Sequence, residues 1–199
     1  MLYSIAHFLR DKCPIIWDFI DWVNSVLFSL RYGNKLMLID GILSKYNDIY
    51  KIEGIKEKHL NDLVDFFIKQ PEEAFKYFKP HGFDYKTLRK LQKNKAFLSY
   101  IVLKDDEIVG YFFLRSYFFG KCFRGYMVDA NWRNRGISKL TAKVMTDIAI
   151  LLNIPSFGTI SPNNMPSMKS QNAINNINII KQLANGDYYV EYIPREKGS

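Results

Sequence analysis

With 199 residues, 48% of them hydrophobic and 16% aromatic, the chain has material for one good-sized core, and the expectation is one main domain with an appendage. Its 28 basic and 20 acidic residues give a formal charge of +8. Residues 1–50 are balanced (Arg10, Lys12, Arg31, Lys35 and Lys45 against Asp11, Asp18, Asp21, Asp40 and Asp48), so the excess lies later and suits an anionic partner: a phosphate-bearing cofactor, a nucleotide-linked sugar, nucleic acid or an anionic membrane. Cys13 and Cys122 are isolated, which points to a reduced, cytoplasmic protein. His7, His59 and His81 are too scattered to suggest a metal site, and no zinc spacing, Walker loop or Gly-x-Ser-x-Gly elbow occurs.

Residues 1–46 read as helices. Leu2, Ile5, Ala6 and Leu9 hint at a short one. Pro14 suits the first turn of a second, in which Ile15, Ile16, Phe19, Trp22, Val23, Val26, Leu27 and Leu30 form an apolar stripe. Asp18, Asp21, Asn24, Ser25 and Ser29 fall mostly on its other side. The Arg31-Tyr32-Gly33-Asn34 run signals a turn before a third helix over 36–43. Two aspartates inside the stripe argue against a membrane span, and no secretory cleavage pattern follows it. The stripe therefore packs on the main domain as added core, or over 15–30 contacts a partner or second copy. An interfacial membrane helix is the third reading, opposed by acids on its polar side.

A strand over 49–55 and a helix over 56–70 follow, the latter ended by Pro71. Short helices over 71–78 and 85–95 flank His81-Gly82. The second carries Lys86, Arg89, Lys90, Lys93 and Lys95, which reads as a solvated face or as a site for an acidic ligand. Strands at 96–103, 108–117 and 122–128 form a meander through turns at Lys104-Asp105-Asp106-Glu107 and Gly120-Lys121. Ile137, Leu140, Val144, Ile148 and Leu151 mark one face of a long helix, and a strand at 157–160 implies a parallel crossover. A short helix over 164–171 precedes strands at 177–183 and 188–193, joined by the Asn185-Gly186 turn.

Between the strand at 122–128 and the long helix runs Met127-Val128-Asp129-Ala130-Asn131-Trp132-Arg133-Asn134-Arg135-Gly136-Ile137-Ser138-Lys139. A helix start leaves its first amides unpaired with partial positive charge behind them, a seat for phosphate. Gly136 permits a left-handed turn or close approach, and Arg133 and Arg135 can supply forked bonds to phosphate oxygens.

Arg133-Asn134-Arg135-Gly136-Ile137-Ser138 resembles the acyl-CoA signature of the GCN5-related N-acetyltransferases (GNAT), with Ser138 where the family has Gly or Ala. The resemblance covers roughly residues 50–194. It implies an α/β fold with a mixed, mostly antiparallel central sheet flanked by helices, splayed between the strands at 122–128 and 157–160. The chain then divides into an amphipathic helical extension (1–48), an acyltransferase domain (49–194) and a polar tail (195–199). The implied activity is transfer from acetyl-CoA to an amine, without metal.

The same resemblance has the backbone at Met127 and Val128 hold the carbonyl and pantetheine arm. The run Arg133, Asn134, Arg135, Gly136, Ile137 and Ser138 holds pyrophosphate, with Lys139 at the rim and Asn164 touching CoA. The family's usual acid, a tyrosine seven residues beyond that asparagine, falls on Gln171, and its usual strand glutamate is missing. Substitute acids are Ser167, Tyr188 and Tyr189; substitute bases are Asp129, Glu191 and His81. The acceptor read here is a small-molecule amine, by preference a nucleotide-linked amino sugar for surface polysaccharide, with the 85–95 helix in its wall. A peptide amine, a silent acyl-CoA-binding module and nucleic-acid binding through Lys86 to Lys95 are the alternatives, the last with no supporting motif.

Overall fold

The computed structural model describes residues 14–195, with side chains from Ile16 onward. The expected helix at residues 2–9, Cys13 and the end of the tail lie outside the described residues. The strands are β1 (Lys51–Gly54), β2 (Phe97–Lys104), β3 (Glu107–Tyr117), β4 (Lys121–Val128), β5 (Ser156–Ile160), β6 (Asn175–Gln182) and β7 (Tyr188–Pro194). They form one sheet in the order β1-β2-β3-β4-β5-β7-β6, antiparallel except where β4 meets β5.

Two turns follow from their chemistry. Asp105 and Asp106 both take positive φ (49° and 64°), the mirror-image two-residue turn whose twist matches its flanking strands. Gly186 (φ 86°) closes the last hairpin, where the Leu183 amide donates to the Asp187 carbonyl at 2.8 Å.

The helices are α1 (Pro14–Leu36), α2 (Ile39–Ser44), α3 (Leu60–Ile68), α4 (Tyr85–Lys93), α5 (Ile137–Leu152) and α6 (Met165–Asn172). The segment Glu72–Phe75, expected as a helix, is a single 3-10 turn. Helices α1, α2 and α5 share a core with one face of the sheet: Phe28, Ile42 and Leu43 join Phe112, Leu114, Val144 and Ile148. On the other face α3 and α4 enclose Leu63, Phe67, Leu88, Ile101 and Tyr111. The stretch from Phe28 to Leu43 therefore contributes to the main core.

Helix α1 departs from its amphipathic reading in two ways. It runs unbroken through the expected turn to Leu36, because Tyr32 is buried against Phe28 (ring centroids 4.6 Å apart); tertiary packing overrides the weak propensity of Gly33 and Asn34. Its apolar stripe also faces outward: Phe19, Trp22 and Leu30 are 62%, 61% and 78% exposed.

The polar face is what docks on the domain. Asp21 takes two bonds from Arg115 (2.9 and 3.1 Å), and Ser25 accepts from the Lys95 amide at 2.8 Å. Asn24 donates to the Ser116 carbonyl and accepts from the Phe118 amide, each at 3.0 Å. These contacts satisfy backbone groups at the ends of β2 and β3, which an apolar face would have left unpaired. The reading of the stripe as added core is thus corrected.

Phe28→Ala should cost about 3–5 kcal/mol of stability through its cavity, whereas Leu30→Ser, in the nominal apolar stripe, should stay within about 0.5 kcal/mol in chemical denaturation. A large loss from Leu30→Ser would mean that the stripe is packed inward after all.

Candidate functional site

The site grows from the parting of β4 and β5. Only Cys122 with Ser156 and Phe123 with Phe157 pair, after which the strands separate. Odd positions of β4 bond to β3, as in the pairings of Phe123, Gly125 and Met127 and the Asp129 amide donating to Val109. The Cys122 amide instead donates towards β5, to Pro155 at 3.0 Å. Alternation puts the amides of Tyr126 and Val128 on that same edge, facing the opening. Of the two residues expected to present backbone there, Val128 does so; the Met127 amide belongs to the β3 ladder, and Tyr126 takes its place.

Above the opening lies the basic turn, held from three sides. Asp129, buried, accepts from the Gln70 side chain at 2.7 Å and from the Asn131 amide at 2.8 Å, while the Gln70 side-chain oxygen accepts from the Ala130 amide at 3.0 Å. Arg135 lies over the Trp132 ring at 4.5 Å, and its carbonyl accepts from the Tyr50 hydroxyl at 3.4 Å. Asn134 (φ 62°) and Gly136 (φ 83°) are left-handed.

The amides of Asn134, Arg135, Gly136, Ile137 and Ser138 have no partner among the described residues, and they open onto the start of α5. Arg133, Arg135 and Lys139 are exposed around them. A Cβ on Gly136 would meet nothing within 4 Å, so the glycine is required here for its φ and not for space. This is a concave set of donors with cations at its rim, which fits a pyrophosphate.

On the α5 side of β4 the even positions build a polar cluster. The Tyr126 hydroxyl reaches α6, 3.1 Å from the Ser167 hydroxyl and 2.9 Å from that of Ser170. One step further from the turn, Arg124 is buried, donates to Thr146 (3.0 Å) and Gln171 (2.8 Å), and lies 3.5 Å over the Tyr192 ring. Among the described residues no acidic side chain pairs with it, and its Nε has no partner. Burial lowers its pKa, opposed by Tyr192 and Cys122. Burial likewise pushes the Cys122 thiol up to about 12, so that thiol is inert.

The other expected site residues fall as follows. Ser167 joins the Tyr126 cluster. Asn164 caps α6, its side-chain oxygen accepting from the Ser167 amide at 3.2 Å. Gln171 is bound to Arg124 and carries no usable proton. Tyr188 faces the α6 side, packed on Ile160 and Val190, and Tyr189 the opposite side, stacked on Phe157 at 5.7 Å.

Two of the three expected bases are held by other groups. Asp129 is consumed by Gln70 and the turn. Glu191 pairs in register with Phe157, shares the Tyr189 side of β7, and accepts from the Asn178 side chain at 3.4 Å. The Nδ1 of His81 faces the Gly82 carbonyl at 2.8 Å and so carries the proton, leaving Nε2 to accept from buried Tyr111 at 2.9 Å. Burial takes the His81 pKa down to about 4, so the ring is a neutral part of the core.

Sequence reasoning missed Tyr126, Arg124 and Gln70. A charged residue within the run Cys-Phe-Arg-Gly-Tyr-Met-Val was the available signal for the first two; Gln70, before Pro71, gave none.

No family model and no curated protein matches the chain. Solved structures do. The GNAT domain of S. lividans PAT superimposes with a TM-score of 0.63 at 13% identity, over 72% of this chain and 89% of that one. PaiA N-acetyltransferase from Thermoplasma acidophilum, in complex with coenzyme A, gives 0.61 at 12%, over 72% and 98%. Ribosomal-protein-S5-alanine acetyltransferase from Vibrio fischeri gives 0.59 at 16%, over 76% and 97%. The chain has the fold of the GNAT acetyltransferases: a seven-stranded, mostly antiparallel sheet flanked by helices.

Gly136→Val should weaken coenzyme A binding at least about tenfold in calorimetric titration, because a β-branched residue resists φ 83°, while the melting temperature moves little. Unchanged affinity would remove the phosphate role from this turn.

Proposed function

We propose that this chain transfers an acyl group, in the first instance acetyl from acetyl-CoA, to an amine. The observation that carries the reading is the open edge of β4, with the amides of Tyr126 and Val128 unpaired among the described residues, leading into the unpaired donors of the 134–138 turn. That edge and that turn suit an extended arm ending in pyrophosphate, and the similar fold of the Thermoplasma enzyme holds coenzyme A. Arg133, Arg135 and Lys139 add charge at the rim. Acetyl-CoA supplies an activated thioester.

The chain's own residues do the rest. The Val128 and Tyr126 amides orient the carbonyl and polarise it. The Tyr126 hydroxyl, set by Ser167 and Ser170, gives its proton to the departing thiolate, and the uncompensated charge of Arg124 below it favours negative charge at that point. Ser167 is thus a positioning residue. The acceptor enters as its free base, and the proton its nitrogen sheds as the amide forms passes to the Tyr126 phenolate, so that amine and thioester become amide and thiol.

The acceptor face of the sheet favours an amino sugar. Phe123, Phe157 and Tyr189 form a ring platform with centroids 5.7 to 6.1 Å apart, and Lys121 lies over two of its rings at 5.3 and 5.4 Å. A sugar ring stacks on such a surface, and Lys121 suits an anionic, nucleotide-linked substituent. The basic α4 helix is no part of this reading: it packs beside β2, two strands from the opening. The second reading, a silent acyl-CoA-binding module, draws on the engagement of Asp129 and His81 by other groups.

Thiol release from acetyl-CoA across a panel of free amino sugars, nucleotide-linked amino sugars and peptide amines tests the proposal. Turnover with one class supports the enzyme; coenzyme A binding with no turnover on any amine would leave the silent module. In the active case Tyr126→Phe should lower kcat about a hundredfold with coenzyme A affinity retained. An equal fall in kcat and affinity would make Tyr126 a binding residue only.

A further inference from the structure

We infer that the outward face of α1, with the basic face of α4 beside it, is a docking surface for an anionic lipid bilayer, on which the domain lies without spanning. No helix among the described residues is long and apolar enough to cross a membrane.

The apolar part is a ribbon. Ile16, Phe19, Ile20, Trp22, Leu27 and Leu30, between 38% and 78% exposed, run along about 20 Å of helix on the side opposite buried Ser25, Phe28 and Tyr32. Phe118 and Phe119, at the β3–β4 turn, extend it; they are 41% and 55% exposed, and Arg31 donates to the Phe118 carbonyl at 2.8 Å. Aromatic rings at the rim of an apolar ribbon suit the headgroup boundary.

The electrostatics decide the occupant. Acids on the polar face of α1 argued from sequence against lipid, but folding turns them away. Asp21 is bound by Arg115 and Asp18 by Lys90. What flanks the ribbon is then basic. Lys90 brings α4 alongside, and Lys86 and Lys93, four before and three after it, lie on the same helix face with no acidic partner among the described residues. They are exposed, like Arg31 on the other flank. A second copy seated on this ribbon would bring these cations into the same neighbourhood as its own, whereas anionic headgroups complement them.

The orientation also serves access. Helix α1 meets the Arg115–Phe118 end of β3, and the 134–138 turn follows the Val128 end of β4, which pairs with Gly110 at the opposite end of β3. A domain lying on α1 keeps the turn away from the bilayer.

The test is flotation of the full chain with phosphatidylcholine vesicles, with and without phosphatidylglycerol, beside light scattering of the free protein. The expected result is binding to the anionic vesicles that falls as salt rises. Trp22→Ser with Leu30→Ser should weaken it at least about tenfold, and Lys86→Gln with Lys93→Gln about thirtyfold, at unchanged melting temperature. Failure to float with either vesicle, or equal flotation with both, overturns the proposal. So does a dimer that becomes monomeric in Trp22→Ser with Leu30→Ser, because the ribbon is then a contact between copies. Calorimetric coenzyme A binding, read on the same samples, is independent of these outcomes.

Discussion

The molecule is organised by the failure of β4 and β5 to stay together. A parallel pair of strands normally continues its ladder, and buried backbone groups without partners are costly. Here the ladder ends after two residue pairs, and the chain must account for the open edge. It does so in three ways along one strand: Arg124 fills the base of the gap with a long side chain, Tyr126 bridges it to α6, and above them the amides are left without a partner among the described residues. The basic turn continues this edge, so the donors of the strand and the turn form one track.

The lowest part of that track is energetically unusual. A buried guanidinium with no carboxylate partner carries a desolvation penalty that its neutral contacts offset only in part. Thr146, Gln171 and the Tyr192 face solvate it, and Thr146 is itself tied to Asn175 at 3.0 Å. Replacing Arg124 by an apolar residue would satisfy stability more simply. In the proposed reaction its positive potential is already present where the thiolate forms, so nothing need reorganise when that charge appears. Gln171, which stands where a catalytic tyrosine was expected, is therefore a partner of Arg124, and in the proposed reaction the hydroxyl comes from the strand instead of the helix.

Much of this was legible in the residues. The strand, turn and helix around Gly136 follow from an apolar alternation, a glycine and a 3.6-residue period, and each is local. The Asp105-Asp106 and Asn185-Gly186 turns are local in the same sense. What could not be read is what depends on register and on partners distant in sequence. Met127 and Tyr126 differ by one position, and only the pairing of β4 with β3 decides which amide faces the gap. Asp129 looked like a base because nothing near it in sequence shows Gln70 holding it. His81 looked titratable because the ring of aromatics around it, Phe67, Phe83, Phe97, Tyr111 and Phe113, is assembled from three separate elements and a loop.

Helix α1 carries the same lesson further, because its periodicity was read correctly and its orientation was not. A hydrophobic stripe predicts burial only if burying that face leaves fewer unmet demands than burying the other. At the end of β3 the demands are polar: the Ser116 carbonyl, the Phe118 amide and the Arg115 guanidinium all need partners, and Asn24 and Asp21 meet them. Phe28 and Tyr32, one helical turn apart on that same side, add the apolar contact that keeps the helix seated. Among the described residues the stripe is thereby left with no role inside the domain. Its exposed side chains gain nothing from folding, so whatever stabilisation they give is realised only when another apolar phase covers them.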